Sequence, residues 1–289
     1  METPMHTLLI TPHQLQSLLA QGTPCAIFDC SFDLMKPELA GGFFADERIA
    51  GALPANLDKN LSTHTPGAGV NAGRHPLPHR EAVAQWLGSL GVHNGMQIVV
   101  YDRNKSAYCG RLWWMLKWLG HEAVAVLDGG LQAWKDAGGA TESGPFSPPA
   151  SAAFELKAPL RQLVLTSEVS AALGRPDQTI IDARAGARFR GEMEPLDPVA
   201  GHIPGALNRP YTENFDADGH FKSPELLRAE WSQVLAGRTP NSVVHHCGSG
   251  VTAVPNVMAM EMAGLGVTAL YAGSWSEWCN TPGLPCAKG

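Results

Sequence analysis

Cys247-Gly248-Ser249-Gly250-Val251-Thr252-Ala253 follows the apolar, β-type run Ser242-Val243-Val244 and leads into Val254 to Leu265, which reads as a helix. The stretch is a strand, a tight loop opening on a cysteine, then a helix N-terminus. Such a loop aims several backbone N–H groups at one point, and the helix dipole adds positive potential there. Surroundings of that kind favour the thiolate, which is the reactive form of cysteine. Gly248 and Gly250 let the backbone curl where a Cβ clashes. A lone cysteine is more often a buried structural residue, but apolar packing has no use for a Gly-Ser-Gly turn beside it. Cys247 also falls at the carboxyl end of its strand, where open α/β sheets bind ligands.

Outward from this loop, the two halves of the chain are alike. Ala26-Ile27-Phe28-Asp29-Cys30 parallels Ile180-Ile181-Asp182-Ala183-Arg184, and Arg48-Ile49-Ala50-Gly51-Ala52 parallels His202-Ile203-Pro204-Gly205-Ala206. Ile98-Val99-Val100-Tyr101-Asp102 parallels Val243-Val244-His245-His246-Cys247, and Leu127 to Trp134 parallels Leu270 to Trp278. A single long-period repeat means a tandem domain, not a solenoid. Each copy alternates short β-rich runs with helical patterns, which predicts an α/β fold with a parallel sheet and helices on both faces. Helices are expected over Glu81–Leu90, Gly110–Leu119, Pro224–Leu235 and Val254–Leu265, and Thr11-Pro12 reads as the cap and first residue of another. Gly138 to Pro159 is rich in Gly, Ser, Pro and Ala without periodicity and reads as a linker. The division drawn is a non-catalytic domain over 1–140, a linker over 141–163 and a catalytic domain over 164–289. The first copy has Asp102-Arg103 where the second has its cysteine. Cys109 comes too late to open that loop, and Cys30 ends an early strand as a core residue.

Composition narrows the partners. With 289 residues the chain has room for two ordinary domains. A 44% hydrophobic and 17% charged composition suits a globular protein with real cores, and a formal charge of −6 argues against general binding to nucleic acid or to anionic membranes. No apolar stretch reaches bilayer length, and Met1-Glu2-Thr3-Pro4 lacks the basic segment of a signal peptide. Six scattered cysteines without a Cys-x-x-Cys pair are expected to stay reduced in the cytoplasm. His64, His75, His79, His245 and His246 match no common zinc spacing, so no metal is expected.

A thiolate on such a loop can serve several chemistries. A cysteine phosphatase needs His-Cys-x5-Arg, but position 253 is Ala253, which removes the bidentate phosphate donor. A thiol protease or acyltransferase needs a base beside the nucleophile. His245 and His246 precede Cys247, but strand alternation sends them to opposite faces. Sulfur transfer needs a thiolate, N–H donors for a persulfide and an anion site for the donor.

Further motifs carry a resemblance. The Cys-Gly-Ser-Gly-Val-Thr loop, Gly201-His202-Ile203-Pro204-Gly205-Ala206, Tyr271-Ala272-Gly273-Ser274-Trp275-Ser276-Glu277-Trp278 and Asp182-Ala183-Arg184 together resemble the rhodanese-like sulfurtransferases over most of 164–280. The loop is similar to that of the branch using 3-mercaptopyruvate. The thiosulfate branch more often has basic residues after the cysteine. The resemblance implies two tandem rhodanese-like domains and sulfur transfer from 3-mercaptopyruvate through a Cys247 persulfide, with pyruvate released. No cofactor is implied. The acceptor is a thiol, such as that of a thioredoxin-like protein, or cyanide. It implies that Cys247, Ser249 and His75 are catalytic, and that Gly248, Gly250, Val251 and Thr252 complete the loop. Arg188, in Gly186-Ala187-Arg188-Phe189-Arg190-Gly191, is similar to the family's substrate arginine, and a guanidinium fork suits a carboxylate. Arg184 is expected to pair with Asp182. The family's second arginine is absent from Glu194-Pro195-Leu196-Asp197-Pro198, which leaves Arg74 or Arg190 to replace it. Tyr108 and Arg111 resemble substrate-facing residues of the first domain, whereas Trp113 and Trp114 read as core. The acid of the family's Ser-His-Asp relay falls at Asn60, with Asp58 close by, and stays open. Two rival readings are a thiosulfate:cyanide sulfurtransferase and a non-enzymatic sulfur-carrier or docking module.

Overall fold

Thr11 and Pro12 open the first helix as their side chains dictate: the Thr11 hydroxyl accepts from the Gln14 amide, Gln14 caps Thr11 in return, and Pro12 occupies the first turn. The computed structural model describes residues 5–289, so Met1–Pro4 lies outside the described residues. The chain forms two units. Unit 1 contains the chain up to Ala68, Pro78–Leu160 and Asp218–His220; unit 2 contains Gly69–Leu77, Arg161–Ala217 and Phe221–Gly289.

Unit 1 runs β1 (Leu9–Ile10), α1 (Pro12–Ala20), β2 (Cys25–Asp29), α2 (Ala40–Asp46), β3 (Arg48–Ile49), β4 (Leu53–Pro54), α3 (Arg80–Ser89), β5 (Gln97–Tyr101), α4 (Cys109–Trp118), β6 (Val124–Leu127), α5 (Gly130–Asp136) and β7 (Thr141–Glu142). Unit 2 runs β8 (Leu163–Val164), α6 (Thr166–Ala171), β9 (Thr179–Asp182), α7 (Gly186–Phe189), β10 (Leu207–Asn208), α8 (Pro224–Leu235), β11 (Val243–His246), α9 (Val254–Met262), β12 (Ala269–Tyr271) and α10 (Ser274–Trp278). The sheets are parallel, ordered β1-β6-β5-β2-β4 and β8-β12-β11-β9-β10, so equivalent strands take equivalent places. The duplication read in the sequence is therefore present in the topology. Asp29 pairs with Tyr101 and Asp182 with His246. Asp102 and Cys247 thus occupy the same position, one step beyond the central strand of each unit.

Alternation along the strands builds the cores. Ile27, Val99, Tyr101, Ala125 and Leu127 share one cluster with Leu15, Leu131 and Trp134. Ile180, Val244, Ala269 and Tyr271 share the other with Trp275 and Trp278. Every residue of α4 is buried, Trp113 and Trp114 among them, which makes this pair core packing.

Two elements differ from expectation. The last helix of the cysteine segment stops at Met262 rather than Leu265: Gly264 has φ +68°, its amide donates to Glu261 and the Leu265 amide to Met260, and this paired bonding ends the helix. The 138–159 segment has structure despite its composition. β7 pairs antiparallel with β3, the Ala152 amide donates to the Gly88 carbonyl, and the Lys157 amide donates to the Leu119 carbonyl. Gly88 is needed there, because a Cβ would overlap the Ala152 carbonyl oxygen. Among the described residues, no helix is long and apolar enough to cross a membrane.

Candidate active site

Cys247 leaves the carboxyl end of β11, and its loop is sewn to the first turn of α10. The Cys247 amide donates to Ser274 Oγ at 3.1 Å, while the Cys247 and Gly248 carbonyls accept from the amides of Trp275 and Ser276 at 3.1 and 2.9 Å. Ser274 holds a left-handed φ of +56° to do this, and its hydroxyl donates to the Tyr271 carbonyl. The Tyr271–Trp278 motif is thus the clamp that shapes the cysteine loop. Gly250 has φ +73°, and a Cβ there would collide with the Ala272 backbone. With the loop carbonyls turned to α10, the amides of Gly248, Ser249, Val251 and Thr252 have no acceptor among the described residues. They are free to bind an anion beside the sulfur.

The equivalent loop of unit 1 is already filled. The Asp102 carboxylate accepts from the amides of Asn104, Ser106, Tyr108 and Cys109 at 2.8–3.0 Å. A side-chain anion sits where unit 2 leaves its amides open. Burial pushes the Cys30 and Cys109 thiols well up, and the Asp102 charge pushes them further. Neither is suited to serve as a thiolate.

Unit 2 includes Gly69–Leu77, and this segment brings Arg74 and His75 to the loop. Ser276 is the tie: its amide donates to the Gly248 carbonyl, and its hydroxyl accepts from the Arg74 amide at 3.0 Å. Gly73, at φ +94°, passes so close that a Cβ would touch Ser276 Oγ. His75 Nδ1 lies 2.7 Å from Ser249 Oγ, both groups buried. A Cβ on Gly248 would stand 2.9 Å from Arg74 Nη2 and 3.6 Å from both terminal nitrogens of Arg188. Two guanidiniums therefore converge over the residue next to Cys247.

Carboxylates organise these arginines. Arg188 binds Glu194 with Nη2 at 2.7 Å from Oε1 and Nε at 3.2 Å from Oε2. Glu194 also accepts from Arg184 Nη1 at 3.3 Å, and Arg184 binds Asp182 as expected, at 2.6 Å. Arg74 Nη1 binds Asp197 Oδ1 at 2.5 Å. Burial alone would raise the Asp182 carboxyl, but His246 and Arg184 outweigh it and hold it below the usual range. Asp197 goes the other way: burial raises it more than Arg74 lowers it. Arg190 pairs with Glu192 at the surface, so of the two candidates for the missing second arginine it is Arg74 that reaches the loop.

The two histidines before the cysteine do point apart. His245 packs edge-on to Trp231, and burial depresses it to about 3. His246 Nδ1 donates to the Cys247 carbonyl, not to its sulfur, and Nε2 lies 3.6 Å from Asp182. Tyr108 and Arg111 belong to unit 1. The Tyr108 hydroxyl accepts from the Leu34 amide, and Arg111 is fully buried with its guanidinium on the Leu61 carbonyl. Asp58 lies 3.6 Å from His64 and Asn60 accepts from the Asn56 amide, also in unit 1. Sequence reasoning missed Ser274, Ser276, Glu194 and Asp197. The two serines stand inside a motif that was recognised; nothing in the sequence marks the carboxylates as site residues.

Residues 11–137 and 165–281 both match the rhodanese-like domain. The chain belongs to the rhodanese-like family. Its relatives include a Pseudomonas aeruginosa protein described as "Probable 3-mercaptopyruvate sulfurtransferase", 42% identical over 97% of this chain and 98% of that protein. They also include a Mycobacterium tuberculosis protein described as "Putative thiosulfate sulfurtransferase SseB", 36% identical over 98% of this chain and 97% of that protein. Among solved structures, the 3-mercaptopyruvate sulfurtransferase from Leishmania major superposes with a TM-score of 0.83 at 33% identity, covering 97% of this chain and 77% of that one. In this rhodanese-like pair, unit 2 carries the open cysteine loop and unit 1 carries the loop closed by Asp102.

Proposed function

We propose that this rhodanese-like protein is a sulfurtransferase that takes sulfur from 3-mercaptopyruvate. The observation that carries the reading is the convergence of Arg74 and Arg188 over Gly248, beside a cysteine whose loop amides are open. The two guanidiniums hold the donor carboxylate. The Cys247 thiolate attacks the donor sulfur, an S–S bond forms and the C–S bond breaks. Its electron pair leaves on carbon as the enolate of pyruvate. The products are a Cys247 persulfide and, after protonation of the enolate, pyruvate. Ser249 and His75 deliver that proton, since their 2.7 Å contact forms a relay. The loop amides stabilise the sulfur anion. An acceptor thiolate, such as that of a thioredoxin-like protein, or cyanide then attacks the outer sulfur and returns Cys247 as a thiolate. In this reading 164–289, together with the Arg74-His75 segment, is catalytic, and the rest of 1–140 is not. A reducing compartment such as the cytoplasm suits the cycle, because it keeps Cys247 and the other five free thiols reduced between turnovers.

Thiosulfate is the second reading, favoured by the Mycobacterium tuberculosis relative. It is a compact dianion, whereas the Gly-Ser-Gly loop offers it no cationic side chain beyond the two arginines. Steady-state kinetics with both donors tests the choice. The expected result is a higher kcat/KM for 3-mercaptopyruvate, with one added sulfur on the Cys247 peptide by intact and peptide mass. Cys247→Ser should lose both. A clear preference for thiosulfate, or the sulfur on another cysteine, refutes the reading.

A further inference from the structure

Every guanidinium around the cysteine loop already has a carboxylate. Arg184 holds Asp182, Arg188 holds Glu194 and Arg74 holds Asp197. The six charges sum to zero, so an anionic donor meets no excess positive charge until one carboxylate yields. The three are not equally held. Asp182 takes both its oxygens to Arg184 and is fully buried. Glu194 accepts from two arginines and from the amides of Leu196 and Asp197. The Asp197 carboxylate accepts one hydrogen bond among the described residues, from Arg74 Nη1. Its second oxygen is buried with no donor among the described residues and lies 3.6 Å from Arg188 Nη2.

Asp197 thus spans the two guanidiniums that hold the donor in the reading above. It occupies the place of a donor carboxylate. A cleft of about 460 Å³, lined in part by Arg74, Asp197, Glu277 and Asn280, lies beside the Arg74–Asp197 ion pair, and it is the space into which the Asp197 side chain would yield. Wherever it swings on its short stem, its charge stays near the donor. Repulsion scales with the product of charges, so a dianion feels it twice as strongly as a monoanion at the same distance.

We propose that Asp197 is a specificity-determining residue: a built-in carboxylate that competes for Arg74 and Arg188 and sets the site's preference for monoanionic over dianionic donors. The inference rests on the assignment of these two arginines to the donor anion. It explains how a site with two guanidiniums favours a monocarboxylate without a size filter.

The test is calorimetric titration of pyruvate, a monoanion, and sulfate, a dianion, into the wild type and Asp197→Asn. Donor kinetics on the same proteins accompany it. Removing the charge should tighten pyruvate about 5-fold and sulfate by several times more than that, because freeing the arginines helps both anions alike while the lifted repulsion doubles with the charge. The ratio of kcat/KM for thiosulfate to that for 3-mercaptopyruvate should rise in step. Asp197→Glu, which keeps the charge, should keep the wild-type order, and Asp197→Ser replaces Asn if that variant fails to fold. Equal gains for both anions, weaker binding of both, no binding to any of the proteins, or the same shift in Asp197→Glu overturns the proposal. Titration needs no turnover, so a protein that never forms a persulfide would refute the sulfurtransferase reading separately from this one.

Discussion

Gly248→Ala separates the chemistry of the arginine pair from the stability of the loop. Gly248 does not have a left-handed φ, so alanine suits its backbone. The added Cβ would stand 2.9 Å from Arg74 Nη2, below ordinary carbon–nitrogen contact, and 3.6 Å from Arg188, which is tolerable. Arg74 has to move by roughly half an ångström, but its amide is tied to Ser276 and its Nη1 to Asp197. The guanidinium therefore tilts away from the loop. Loss of one charge-assisted hydrogen bond to the donor costs about 1.5–3 kcal/mol, or on the order of 10–100-fold in kcat/KM, mostly as KM. The far end of a flexible side chain absorbs the contact, so thermal unfolding should shift by only a few degrees. Gly250→Ala is the contrast, since its positive φ and the Ala272 backbone leave no room, and it should lose stability outright. The assay is steady-state kinetics with 3-mercaptopyruvate on Gly248→Ala, Arg74→Ala and the double variant. Because Gly248→Ala acts through Arg74, the double variant should match Arg74→Ala. Additive losses, or a wild-type KM in Gly248→Ala, would refute the argument.

Two further outcomes follow from the site. Arg188→Lys should lose about 10–100-fold in kcat/KM despite keeping its charge, because lysine cannot form the fork that now grips Glu194; Arg190→Lys, paired with Glu192 at the surface, should be mild. A wild-type Arg188→Lys would mean that the donor carboxylate lies elsewhere. His245 takes up its proton at an ordinary pKa when unfolded but only near 3 when folded, so its contribution to stability is whole above about pH 6.5 and fades as pH falls toward 3. The full loss is on the order of 4–5 kcal/mol by that shift. Urea midpoints measured from pH 7 to 4 should fall in the wild type and fall less steeply in His245→Phe; identical slopes would show that His245 is not the group responsible.

Much of the fold is legible because backbone chemistry is local. Thr11-Pro12 and Ser223-Pro224 start helices through their own side chains, and the β-type runs at 26–29, 98–101 and 243–246 are buried on both faces, as central strands of a parallel sheet are. The repeat of those runs implied two equivalent sheets, and the strand orders agree. The Gly-Ser-Gly spelling likewise announced a tight loop, since φ +73° at Gly250 suits few other residues. The end of α9 is not legible in the pattern, because apolar residues run on through Leu265 while Gly264 turns the backbone out of the helix.

The composition of the site was decided in three dimensions. His75 meets Ser249 across 174 positions, and it does so because Gly73 slips past Ser276 and Ser276 bonds both the Arg74 amide and the Gly248 carbonyl. Residue type and spacing near 75 do not encode that partner; only the resemblance of Arg74-His75-Pro76-Leu77-Pro78 to the family points to it. Arg74 and Arg190 are equal candidates by residue type, and only packing puts one over Gly248 and the other on Glu192 at the surface. The closed loop of unit 1 could be read from Asp102 standing in the place of cysteine, but not that its carboxylate takes four amides. Residue type and spacing carried the nucleophile and its loop, because both depend on neighbours along the chain. The charges that surround the nucleophile depend on neighbours through space, and their balance exists only once the chain has brought distant arginines and carboxylates within a few ångströms of each other.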